Sequence, residues 1–277
     1  MCLIALAWRA HPGCRLIVAA NRDEYFGRAT APAGFWDDHR GVLAGRDLEA
    51  GGTWLGVTLQ GRFAALTNYR NPSDRKTGVP SRGALVSDFL TGRATAAEYV
   101  KEVERRAMSY NGFSLLAGDA ASLYFISNRG GGVARVEPGV HGLSNHLLDT
   151  PWPKVERAKA WLAAQLDKPF DAAAAFGLLG DTERAANAEL PSTGVSLELE
   201  ERLSAIRILA AGGYGTRCST VLCLGEDGRV EFHERSYRED GSASGTVGYR
   251  FTLARGKAQA SSRRGESPPP GTPLPVP

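Results

Sequence analysis

The chain has 277 residues, 43% of them hydrophobic and 23% charged, which is ordinary for a globular protein and enough to bury one large core. The net charge of +3 is small, and part of the excess sits in Arg255, Lys257, Arg263 and Arg264, which argues against a basic face for nucleic acid. No apolar run approaches the ~20 residues of a membrane-spanning helix. The four cysteines, at 2, 14, 218 and 223, have neither zinc nor redox spacing, so a reducing, cytoplasmic setting is expected.

Residues 2–8 (CLIALAW) have neither the basic residues that open a signal peptide nor a small-residue cleavage site after them, and they read as a first strand. With 15–20 (RLIVAA) across His11, Pro12 and Gly13 they form a hairpin signal. A second pair, 54–59 and 62–67, meets across Gln60 and Gly61. Helical spacing follows over 81–90 and 95–109, then strands over 113–117, 123–127 and 133–136. A second helical block covers 153–166, 172–179 and 197–209, with proline in the first turn of its first member. Strands at 220–224, 229–235 and 247–254 close the globular part. Stretches 25–53 and 181–213 read as loops around a substrate pocket.

Short hairpin connections predict largely antiparallel sheets, and the alternation of strand and helix blocks predicts an α+β, four-layer αββα sandwich. No linker composition interrupts the first 250 residues, so residues 1–256 read as a single domain. Residues 257–277, ending PPPGTPLPVP, read as a disordered tail.

Cys2 is the sharpest chemical signal. With four cysteines in 277 residues, the odds of one at this position are about one in seventy. A small residue at position 2 lets an aminopeptidase remove Met1, leaving an α-amino group of pKa about 8 on the same residue as a thiol of pKa about 8.5. One residue then supplies nucleophile and base. Position alone equally suits a small buried strand residue.

The run Asn21, Arg22, Asp23 and Glu24 follows the second strand, and the hairpin returns it toward Cys2. An arginine there depresses a thiol pKa, and an aspartate orients an ammonium or a thiol proton. Alone, this run reads equally well as a solvated turn. Asn68 ends the strand over 62–67 and Asn145 ends another polar segment; asparagines at strand ends can donate to an oxyanion, or simply make turns. Arg217 opens a late strand, placed to bind a substrate carboxylate or steady the nucleophile.

These pieces together resemble the NRDE family, also called the transport and Golgi organisation protein 2 family. The segments that carry the resemblance are MCLIALAW, LIVAANRDEYFGR, GGTWLGVTLQGRFAALTNYRNP, SRGALVSDFL, YNGFSLLAGD, HGLSNHLLDTPWPK, YGTRCSTVLC and FHERSY, in order from residue 1 to 254. The resemblance implies an N-terminal nucleophile (Ntn) hydrolase-like fold. Comparison with the cysteine-nucleophile penicillin V acylases and bile salt hydrolases implies a catalytic set of Cys2, Arg22, Asp23, Asn68, Asn145 and Arg217, to which Asn21 is added from the polar run. In those acylases the arginine precedes the asparagine, whereas here Asn21 comes first, a shift that on a strand can exchange faces.

Two functions follow as expectations. One is hydrolysis of an amide, thioester or other acyl bond of a small molecule, needing no cofactor. The other is a non-catalytic carrier of haem or acyl lipid on the same scaffold, a hydrophobic-ligand protein to which the resemblance points through haem trafficking and lipid metabolism. Haem would take its axial ligand from a cysteine or from His11, His39, His141, His146 or His233.

Overall fold

Strand β1 (Cys2–His11) shows why the first segment is apolar at every position. Leu3, Ala5 and Ala7 pack on one side of it, and Cys2, Ile4, Leu6 and Trp8 on the other. A strand alternates faces, so a continuous hydrophobic run means that both faces are covered. The computed structural model describes residues 2–254. The tail expected over 257–277 lies outside the described residues, as does Met1.

The strands continue as β2 (Cys14–Tyr25), β3 (Thr30–Phe35), β4 (Val42–Asp47), β5 (Leu55–Thr58) and β6 (Phe63–Asn68). Helices α1 (Gly83–Thr91) and α2 (Ala96–Arg106) precede β7 (Phe113–Gly118), β8 (Leu123–Ser127), β9 (Gly132–Arg135) and β10 (Gly139–Leu143). Then come α3 (Pro153–Ala163), α4 (Ala172–Leu179), α5 (Leu197–Leu203), β11 (Tyr214–Gly225), β12 (Arg229–Tyr237) and β13 (Ala243–Thr252).

Two sheets result, one ordered β10-β1-β2-β11-β12-β13 and the other β3-β4-β5-β6-β7-β8-β9. Every pairing is antiparallel. Ile4, Leu6, Val18, Leu222 and Phe232 of the first sheet meet Leu55, Phe63, Ala65 and Leu116 of the second in the central core. Helices α1 and α2 cover the outer face of the second sheet through Leu85, Phe89, Val100 and Val103. Helices α3 and α4 cover the outer face of the first, through Val155, Ala158 and Leu162 and through Phe176 and Leu179. This is the expected α+β, four-layer αββα sandwich. No helix among the described residues is long and apolar enough to cross a membrane.

Three strands stand where the sequence reading placed irregular chain. β3 and β4 occupy part of the supposed loop 25–53, and β10 part of the polar segment before Asn145. Pro32 and Gly34 hide β3, but β3 is an edge strand with a register shift between Ala31 and Gly34, where proline and glycine are tolerated. β10 carries Gly142 for a packing reason: a Cβ there would come within 2.6 Å of Val155 on α3.

Cys14 and Cys223 form a disulfide between β2 and β11, with Cα atoms 6.2 Å apart. Their separation of 209 residues conceals the pairing in the sequence. This bond departs from the expectation of reduced thiols throughout.

Candidate functional site

The hairpin register places each member of the polar run. Cys2 lies opposite Arg22, and Arg22 opposite Cys218 on β11, so these three side chains share the inner face with Ile4 and Val18. They border a cavity of ≈ 370 Å³ at the end of the sandwich, walled also by Asp23, Asn68, Arg82 and Arg217. Arg22 is therefore on the same face as Cys2 despite the altered order of the run. It donates from Nη1 to Thr30 Oγ1 at 3.2 Å, which fixes its guanidinium in the cavity.

Asn21 is not brought to the site. Alternation along β2 turns it to the outer face, where it donates to the carbonyls of Leu179 and Ile206, both at 2.9 Å, and accepts from Ser219 Oγ at 2.6 Å. It ties the first sheet to the end of α4 and to the chain after α5, and none of its hydrogen bonds goes to Cys2. The physical cause is the period of two: Arg22 and Asn21 cannot both face the cavity.

Asn145 reaches Cys2 by a different contact from the one expected. Its Oδ1 accepts from the Cys2 backbone nitrogen at 3.2 Å, and its Nδ2 donates to the Asn68 carbonyl at 2.8 Å. The amide orientation is self-consistent, since its oxygen meets a donor and its nitrogen an acceptor. Ser144 Oγ donates to the Cys2 carbonyl at 2.9 Å, so the turn after β10 grips the start of β1 from both sides. Asn145 holds this position with φ of 55°, the left-handed region that asparagine tolerates.

The Asn68 side chain, by contrast, borders the cavity and makes no hydrogen bond to a described residue. Of the two asparagines it is the one with an uncommitted donor for an oxyanion. Asn68→Ala is expected to leave the melting temperature unchanged, checked by thermal denaturation, because the side chain holds no bond to a described residue.

Asp23 lies opposite Thr216 and accepts from its hydroxyl at 2.6 Å. Burial pushes its carboxyl above the usual range, against the pull of Lys154, the Thr216 bond and Arg70. Burial also raises the Cys2 thiol, as does the Asp23 charge, while a hydrogen bond from the Asp23 backbone and the Arg22 guanidinium act the other way. Burial holds the Arg82 guanidinium below its usual range, and the charges of Glu24 and Cys2, which line the same cavity, act the other way. Arg217 is the extra residue of a bulge between Thr216 and Cys218. Its Nη1 clamps the turn after β2 through the carbonyls of Tyr25, Phe26 and Arg28, so it shapes the cavity wall. Glu24 also borders the cavity.

The family model described as Transport and Golgi organisation 2 matches residues 1–239. The chain belongs to this family. It is 37% identical over 261 residues to the Transport and Golgi organization protein 2 homolog of Bos taurus, covering 85% of this chain and 93% of that protein. Against the Homo sapiens homolog it is 36% identical over 284 residues, covering 91% and 99%. Among solved structures it is similar to an N-acylethanolamine-hydrolyzing acid amidase ortholog of Caenorhabditis elegans. That likeness has a TM-score of 0.47 and 14% identity, over 79% of this chain and 92% of that one. A mutant conjugated bile acid hydrolase of Clostridium perfringens gives 0.46 and 12%, over 94% and 100%. Both are too distant to speak to chemistry.

In this family member, several buried charges around the site escaped the sequence reading. Arg70 and Glu200 form an ion pair with both side chains almost fully buried. Lys154, at the start of α3, is 1% exposed. A signal for it existed: Lys154 begins the i, i+4, i+8 stripe continued by Ala158 and Leu162, where an apolar residue belongs. Of the tryptophans, Trp54 borders the cavity, Trp36 packs under α1 and α2, and Trp152 stacks on Arg70 at 4.6 Å.

Proposed function

We propose that the chain is an N-terminal cysteine nucleophile hydrolase that cleaves an amide, or a thioester or related acyl bond, of a small molecule after Met1 is removed. The observation that carries this reading is that Asn145 Oδ1 holds the Cys2 nitrogen at 3.2 Å while the Cys2 thiol borders the cavity next to the uncommitted Asn68 amide. In the processed chain that nitrogen is the α-amine. It takes the thiol proton, the thiolate forms a C–S bond to the acyl carbon, and Asn68 donates to the oxyanion. Collapse breaks the C–N or C–S bond to the leaving group, which takes the proton back. Water, deprotonated by the same amine, then releases the acid and restores the thiol. Arg22 and Arg82 favour the thiolate against the burial that opposes it.

Intact mass tests the requirement directly. The protein purified from cells is expected to lack Met1, and incubation with N-acyl amides or acyl thioesters is expected to add an acyl mass on Cys2. A retained Met1 with no adduct would sink the reading. A cytoplasmic setting belongs to the same proposal; the Cys14–Cys223 disulfide weighs against it, and a free-thiol count on rapidly alkylated cells decides.

The rival reading is carriage of haem or acyl lipid without turnover. Its haem form finds little support in the histidines: the fifth candidate, His39, is exposed and does not border the Cys2 cavity, and the other four are engaged elsewhere. His11 and His141 have ring nitrogens on the Lys168 and Glu137 carbonyls. His146 is bonded to Tyr69 and Thr150, and His233 to Glu231. A haem titration is therefore expected to leave the Soret band unshifted, and a saturable shift at one equivalent would favour the carrier.

A further inference from the structure

The segment HGLSNHLLDTPWPK (141–154) supplies Ser144 and Asn145 to Cys2, and its other polar residues close the loop that carries them. That loop runs from Gly142, in β10, to Asp149. Its ends are joined twice: the Asp149 N–H donates to the Gly142 carbonyl at 2.8 Å, and Asp149 Oδ1 accepts from the Gly142 N–H at 2.9 Å. The second carboxylate oxygen, Oδ2, lies 2.7 Å from His141 Nδ1, while His141 Nε2 lies 2.9 Å from the Glu137 carbonyl. Both partners of the ring can only accept. A neutral imidazole has one N–H and satisfies one of them, whereas an imidazolium satisfies both. The remaining surroundings of the ring are Leu6, opposite it on β1, and Lys159 of α3. Lys159 Nζ is 3.2 Å from Asp149 Oδ1 and 3.3 Å from Glu156, so it shares the carboxylate with His141.

We propose that His141 is a positioning residue of the Cys2 site: as an imidazolium it clasps Asp149 and holds closed the loop whose Ser144 and Asn145 grip the Cys2 carbonyl and nitrogen. Its bearing on catalysis rests on the reading of Cys2 as the reacting residue; the clasp itself does not. The bond to Asp149 raises His141 above the usual imidazole range, against burial and the Lys159 charge. Burial opposes ionisation of Asp149, but the His141 bond and the Gly142 N–H outweigh it and hold the carboxyl below its usual range. Asp149 is thus charged on both sides of neutrality, and His141 sets the pH dependence. A histidine raised in the folded chain stabilises it fully below the ordinary imidazole pKa of about 6.5, and that support is lost as pH rises through the raised value. The loop is held firmly in mildly acid solution and loosens in alkali, where Lys159 alone keeps its contact with Asp149. The far side of the loop is tied by the Arg70 N–H to the Asn145 carbonyl and by Ser114 Oγ to the His146 carbonyl, bonds that do not titrate.

Three measurements on the full chain test this. Nitrogen-15 shifts of the imidazole rings are expected to show His141 protonated on both nitrogens, with a midpoint above about 6.5 that falls in Asp149→Asn. Amide hydrogen exchange over 143–149, corrected for its intrinsic pH dependence, is expected to lose about 5-fold in protection as His141 gives up its proton, the order of one charge-assisted bond with partial access to solvent. His141→Gln, neutral throughout, is expected to show the lowered protection at every pH, and His141→Arg, a cation throughout, to keep the high protection into alkali. Cys2 alkylation by iodoacetamide is compared at each pH with the arginine variant, so that ionisation of the thiol cancels. The two rates are expected to coincide in mild acid, with the wild type becoming about 5-fold faster in alkali as the loosened loop uncovers Cys2. A His141 midpoint at or below the ordinary value, or a wild type that tracks the arginine variant at every pH, would overturn the proposal. If the arginine variant does not fold, a glutamine variant that keeps the wild-type pH dependence does the same. None of these measurements needs a substrate, so failure here is distinct from a missing acyl adduct, which counts against the hydrolase reading instead.

Discussion

Cys2→Ala is expected to abolish acyl transfer, lowering kcat/KM by roughly 10³-fold or more, while the fold survives. The size follows from what the residue supplies. Its sulfur is the only protein atom in the proposed reaction that bonds to the acyl carbon. The backbone nitrogen stays in place in the variant, still held by Asn145, so amine and oxyanion donor persist without a nucleophile. Loss of one sulfur at an 8% exposed position beside open cavity should cost about 1 kcal/mol or less, since the space it leaves joins the cavity. The measurement pairs hydrolysis of a panel of N-acyl amides and thioesters with a thermal melt. An alanine variant that retains turnover would place the chemistry elsewhere.

The largest stability effect is expected at Glu200. Its carboxylate pairs with Arg70 and also accepts from the Thr193 backbone at 2.8 Å and from the Thr193 hydroxyl. Arg70 in turn donates its backbone N–H to the Asn145 carbonyl at 2.7 Å and stacks on Trp152. Glu200→Ala removes the carboxylate from a guanidinium whose side chain is only 5% exposed. Breaking one partner out of a buried pair costs about 3–5 kcal/mol, and in a chain of this size that lowers Tm by roughly 10 °C. The loss should extend to function, because the Arg70 segment steadies the turn that carries Asn145. Arg70→Met/Glu200→Leu removes both charges, and its Tm is expected to recover much of the difference. Differential scanning calorimetry on the three proteins decides between the cost of a broken buried ion pair and simple loss of packing.

Some of this was legible in the chain before any coordinates. Apolar runs bounded by Gly, Pro and Asn placed β1, β2, β5 to β9 and the core of β11 to β13. Helical stripes placed α1 to α4 closely and α5 too long at its end. The short hairpins implied antiparallel sheets, and the helix blocks between them implied outer layers. Where residues carried mixed signals, the reading failed: Pro32 and Gly34 in β3 and Gly142 in β10 satisfy edge and packing demands that no local pattern announces.

The amino-acid order alone made legible a cysteine at the head of an apolar strand, a charged run after the second strand, and motifs that resemble one family. Local periodicity and chemistry suffice for those conclusions. Which side chains meet was decided by tertiary structure alone. The two-residue alternation of β2 sent Arg22 to the cavity and Asn21 to the opposite face. The turn after β10 put the Asn145 oxygen, not its nitrogen, on Cys2. Strand pairing joined Cys14 to Cys223, and tertiary packing buried Lys154 on α3 and the Arg70–Glu200 pair. Contacts between residues more than a hundred positions apart are set by register and layer packing, and no spacing along the chain encodes them directly.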